Sequence, residues 1–149
     1  MKTLYQDNAY QEITGRLNML TPAAQKQWGK MNVAQMLAHC SQPFEVVMDR
    51  LHIPRVFIGR ILGPLMKKAY VSDKPFGQND PTAKEFLIRD ERDFNTEKAN
   101  LEKLIIEFHD GGPEKCTSRP HAFFGKLTKE EWGIAMYKHM DHHLRQFGV

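Results

Sequence analysis

The sequence contains only two cysteines, Cys40 and Cys116, and they form no CxxC pair. A disulfide framework is therefore excluded, and a reduced, cytoplasmic protein with two isolated thiols is expected. No apolar run is long enough to span a bilayer. The opening residues, Met1 to Asp7, lack the apolar core of a signal peptide. Neither charge dominates: 21 basic against 18 acidic side chains leave +3. That is too small an excess to indicate nucleic acid, and no DNA-reading element is present. Internal repeats, low-complexity tracts and alternating strand patterns are also missing. What remains, at 149 residues, is one domain (1–149) with room for a core.

Helical periodicity fills most of the chain. Tyr10, Ile13, Leu17 and Leu20 form one stripe, predicting a helix from about Asn8 to Leu20, with Asn8 and Gln11 as a capping box. A second helix opens at Asn32 with Gln35 three residues on. Its stripe is Val33, Met36, Leu37, Cys40, Phe44, Val47 and Leu51. Pro43 lies inside it and cannot donate to the carbonyl of His39, which predicts a kink. Ile53 to Val71 is apolar but interrupted by Gly59 and Gly63-Pro64, and reads as one or two short helices. Ser72 to Lys84 reads as a loop, and Phe86-Leu87-Ile88 as a short extended piece. Thr96 to His109 is helical and stopped by Gly111-Gly112-Pro113. The final helix starts at Thr128, capped reciprocally by Glu131, and runs to Phe147. The fold class is all-α: four long helices with Ile53 to Val71 as an insertion.

The chemistry concentrates in histidines. His139 and His143 stand four apart in the last helix, so their rings share one face. On a helical wheel both flank Trp132, inside the arc that holds Met136 and Phe147. His142 points roughly 60° or more away, toward solvent. Interior imidazoles need partners, and a metal shared between them supplies one. A third ligand would come from another helix. His39 is the candidate, although its position on the flank of its stripe fits either a neighbouring helix or water. Gln35 is read as a helix cap, Cys40 as a core residue. His121 is read as a packing or hydrogen-bonding residue, with a direct role at the metal mouth as the competing reading.

These residues carry a resemblance. Trp28-Gly29-Lys30-Met31-Asn32-Val33-Ala34-Gln35-Met36-Leu37-Ala38-His39-Cys40 resembles the second-helix signature of the DinB-like (YfiT-like) four-helix metal-binding superfamily. His121 to Thr128 and Tyr137 to Phe147 resemble the closing part of one of its branches, a domain of unknown function. The resemblance spans most of the chain. It implies an up-up-down-down bundle and one divalent metal ion held by His39, His139 and His143, with Zn or Ni foremost and Fe or Mn as alternatives. It implies a metal-dependent transferase or hydrolase acting on a small molecule, with a low-molecular-weight thiol as one candidate partner. The alternative is a bundle that binds metal without catalysis, as a stabiliser or sensor. The resemblance fixes no substrate.

The segment from Arg50 to Ser72 carries Arg50, Arg55, Arg60, Lys67 and Lys68 and no acidic residue. A basic, apolar helix suits an anionic membrane. Gly59 and Gly63-Pro64 argue against that, because they interrupt the amphipathic face. The expectation is a wall of the metal pocket or a homodimer contact, not a membrane anchor.

Overall fold

In the computed structural model of the protein, which describes residues 1–80 and 83–149, five α-helices follow one another. They are α1 (Asp7–Met19), α2 (Val33–Val47), α3 (Phe57–Tyr70), α4 (Phe94–Gly111) and α5 (Lys129–Gln146). Short 3-10 turns lie at Lys84–Phe86 and Pro113–Lys115. Among the described residues there is no strand, only one isolated bridge between His121 and Gly125. Pro81 and Thr82, part of the predicted loop from Ser72 to Lys84, lie outside the described residues. Among the described residues no helix is long and apolar enough to cross a membrane.

Two of the three predicted capping boxes form. Asn32 and Gln35 satisfy each other's backbone N–H at the start of α2, and Thr128 and Glu131 do the same for α5. Each such cap stabilises its helix by about 1 kcal/mol. Asn8 does not cap α1. The helix starts earlier because the Gln6 carbonyl already accepts the Tyr10 N–H, while the Asn8 side chain accepts from its neighbour Ala9. α2 runs through Pro43 to Val47. Phe86 ends a 3-10 turn, with extended backbone beginning only at Leu87.

α1, α2, α4 and α5 surround one core. α2 packs on α4 and α5, and α1 packs on the same two helices. Ile13, Leu17, Met36, Leu37, Phe44, Leu101, Ile105, Met136, Met140 and Leu144 fill it and are sealed from solvent. Burying each such side chain contributes about 1.5–3 kcal/mol.

α3 stands apart from that core. It is one helix, not two, and its glycines are not breaks. Gly59 and Gly63 press against the backbone of Phe123, where an added Cβ would lie 2.7 Å and 2.0 Å from the Phe123 carbonyl oxygen. The seat they press on is a tight turn. His121 Nδ1 accepts the N–H groups of Phe123 and Phe124, and His121 and Gly125 exchange backbone bonds. At the far end of α3, Lys138 of α5 donates to the carbonyls of Tyr70 (2.6 Å) and Ser72 (2.8 Å) and lies over the Phe76 ring. A buried cation at the C-terminal end of a helix meets both its free carbonyls and its dipole.

Candidate metal centre

α2 and α5 bring His39, His139 and His143 together. One ligand-capable atom from each lies within 4.8 Å of the other two. His39 and His143 are buried, and His139 keeps partial exposure. The closest approach is 3.1 Å, between Nε2 of His39 and Nε2 of His139. Ligand nitrogens of a tetrahedral zinc ion stand roughly 3.3 Å apart, so the cluster has the scale of such a set.

The surroundings decide which nitrogens face inward. His39 Nδ1 donates to the Phe86 carbonyl (2.9 Å), which leaves a lone pair on Nε2. His143 Nδ1 lies 2.8 Å from Gln146 Oε1. The Gln146 amide is itself oriented, because its Nε2 donates to the Trp28 carbonyl (2.9 Å). His143 Nδ1 must therefore carry the proton, and its Nε2 lone pair is left for the centre. Gly29 makes this approach possible: its φ is +82°, and a Cβ there would lie 2.3 Å from Gln146 Nε2. Bonds of this kind from the second ring nitrogen orient metal-ligating histidines generally.

His139 is different. Its Nδ1 is sealed from solvent and has no hydrogen-bond partner. With one proton it can satisfy one neighbouring nitrogen at most, whereas His39 and His143 each offer a lone pair. The cluster holds more acceptors than donors, and this is the condition a cation relieves. Burial disfavours supplying the deficit with protons. It pushes His39 below its ordinary value, His143 down to about 3, and His139 well down, with the neighbouring imidazoles adding to the effect. All three therefore stay in the neutral form that ligates.

His142 is not a solvated surface residue, contrary to the wheel. It is half-buried at the rim, its ring 5.8 Å from Trp28 and 6.2 Å from Phe76. The wheel places it correctly outside the cluster, but the loops carrying Trp28 and Phe76 close over that side. His121 is not in the cluster either and organises the seat of α3. Gln35 caps α2, and its Nε2 also donates to the Asp90 carbonyl (3.1 Å). Cys40 is a core residue whose thiol burial pushes up. The surface clefts by Arg50 and Glu107 and by Pro22 and Phe94 include none of the three histidines.

Sequence reasoning missed Gln146 and the Phe86 carbonyl. Gln146 left a signal, being three residues after His143 and so on the same face of the last helix. A backbone carbonyl leaves none.

No curated protein and no solved structure matches the chain. A family model does match, over residues 3–148, and it is described as a protein of unknown function, DUF1569. With nearly its whole length matched, the chain belongs to the DUF1569 family.

Proposed function

We propose that His39, His139 and His143 hold one divalent metal ion and that the protein is a metal-dependent enzyme acting on a small molecule. The observation that carries this reading is the surplus of lone pairs. Two imidazoles whose tautomers are fixed by Phe86 and Gln146 each leave an acceptor in a cluster whose third imidazole has one proton to give. The order of the residues adds support. One histidine comes from the second core helix and two from the last, the arrangement that the DinB-like resemblance implies for an up-up-down-down bundle. Zinc or nickel suits three neutral nitrogens best, with iron or manganese as alternatives.

Three protein ligands would leave a position for a small molecule, and a divalent ion held by His39, His139 and His143 would lower the pKa of a water or thiol bound to it. The partial exposure of His139 gives a small molecule a way in. Trp28 and Phe76 flank the His142 ring beside His143, aromatic surroundings that suit an apolar portion of a substrate. A transferase using a small thiol, or a hydrolase, fits this arrangement. Two free thiols, Cys40 and Cys116, agree with a reducing cytoplasm.

Elemental analysis of natively purified, untagged protein tests the reading. About one divalent ion per chain is expected. His39→Ala, His139→Ala and His143→Ala should each lower the content, and His142→Ala should keep it. A His142→Ala protein stripped of metal beside a loaded His139→Ala protein would reverse the assignment. X-ray absorption showing a metal saturated by protein side chains would assign a structural role instead. A screen of the loaded protein with small thiols and electrophiles then addresses the reaction.

A further inference from the structure

α3 presents an apolar face that nothing among the described residues covers. Phe57 and Leu65 are 78% and 79% exposed, and Ile58, Ile61, Leu62 and Met66 are also open to solvent. Together these six side chains expose on the order of 600 Å², the size of the largest apolar patch on a typical monomer. We propose that this face is the contact between two copies of the chain, paired antiparallel about a two-fold axis through Ile61.

The face is ordered in advance. Gly59 and Gly63 fix α3 on the Phe123 backbone, Lys67 pairs with Glu131 (2.7 Å), and the Tyr70 ring stacks on Phe124. Docking therefore costs little conformational entropy. The clustered histidines come from α2 and α5, and none from α3.

The pattern is also self-complementary. Phe57, Ile61 and Leu65 stand four apart and form one ridge, symmetric about Ile61. A two-fold axis there sets Phe57 of one copy against Leu65 of the other, and Ile61 against itself. Contacts of this isologous kind are the commonest in homo-oligomers. Arg60 and Lys68 lie toward one flank of the ridge, and the antiparallel axis keeps that flank of both copies on one edge of the seam. The two Arg60 residues would stand only about 3 Å apart along the helices there, so charge on that edge opposes the pairing and added salt should strengthen it. The two Lys68 residues would stand about 20 Å apart along the helices at 1.5 Å per residue, well beyond the Debye length. Two such faces together reach about 1,200 Å², the lower edge of specific interfaces.

An anionic membrane is the competing occupant, and the charges favour it less. Arg55 donates to the Gly59 carbonyl, and Lys67 is held by Glu131 and the Lys126 carbonyl. Arg60 and Lys68 are the cations of α3 left exposed, whereas lipid-binding segments gather about four to eight.

Light scattering coupled to size exclusion, on the full chain at micromolar concentration, tests the proposal. Wild-type protein should run at twice the monomer mass. Phe57→Asp with Leu65→Asp should halve that mass while circular dichroism and metal content stay unchanged. Should that variant fail to fold, Ile61→Cys decides. On mild oxidation it should give a linked dimer in high yield, and Lys103→Cys on α4 should not. A monomeric wild type overturns the proposal, as does equal crosslinking at both positions. A wild type that is monomeric in solution and pellets with phosphatidylglycerol vesicles assigns the face to lipid.

Discussion

Gly63→Ala is the sharpest structural test of how α3 is seated. An added methyl group would meet the Phe123 carbonyl oxygen at 2.0 Å, the Phe123 carbonyl carbon at 3.0 Å and the Phe124 Cα at 3.1 Å. All three are backbone atoms, so no side chain can rotate away. Ordinary contact begins near 3.4 Å, and α3 must therefore retreat by more than an ångström. That retreat strains the Tyr70–Phe124 stack and the bonds from Lys138 to the last turn of the helix. Overpacking of this kind costs about 1–3 kcal/mol, and an unyielding carbonyl places this case at the upper end. For a chain of this length, about 3 kcal/mol lowers Tm by roughly 6–12 °C. Gly15→Ala is the matched control. It lies exposed in α1 with nothing within 4 Å of the new Cβ, so helix propensity should stabilise the protein by about 0.5–1 kcal/mol. Calorimetry of both variants beside wild type reads the two signs directly. A Gly63→Ala protein that melts with the wild type would refute the seating of α3 on the Phe123 backbone.

Two other perturbations reach the site and its supports. Gln146→Leu keeps the volume but leaves His143 Nδ1 and the Trp28 carbonyl without partners. Metal affinity, read by chelator competition, should fall about 10- to 100-fold, and unchanged affinity would remove Gln146 from the site. His121 is pulled down from 6.5 to about 4, by burial first and by the nearby Arg55 charge second. Between those values the unfolded chain binds a proton that the native protein does not. Stability should thus fall as pH drops from 6.5 to about 4, by about 3 kcal/mol from this residue, and the residue should cost nothing above 6.5. Urea unfolding at pH 7.5 and 4.5 should show a flatter response for His121→Gln, and identical slopes would sink the assignment.

The parts of the fold that were legible in the sequence are the local ones. Asn32 with Gln35 and Thr128 with Glu131 are three residues apart, and each box closes within its own turn. Asn8 and Gln11 have the same spacing but lose to the Gln6 carbonyl, which no side-chain pattern reveals. The facing of His139 and His143 follows from helical period alone. That of His39 depends on how α2 meets α5, and a flank position could not settle it. His142 illustrates the limit from the other side: period placed it outside the cluster, but only the chain folded around Trp28 and Phe76 shows that it is covered. Gly59 and Gly63 read as interruptions because their partner, the Phe123 backbone, lies some 60 residues away.

Gln35, His39 and Gln42 stand on one face of α2, and each donates to a carbonyl of the segment that crosses it. Gln35 meets Asp90, His39 meets Phe86, and Gln42 makes a long 3.5 Å contact with Glu85. The recognition is one-sided. α2 contributes three specific side chains, while the crossing segment answers with peptide oxygens, which every residue has, and with the Phe86 ring set edge-on to His39. Drift at positions 85, 86 and 90 would leave these bonds intact, whereas a change at 35, 39 or 42 would delete one. Positions 85 and 90 can therefore vary without loosening the segment from α2, whereas position 86 also carries a ring against His39.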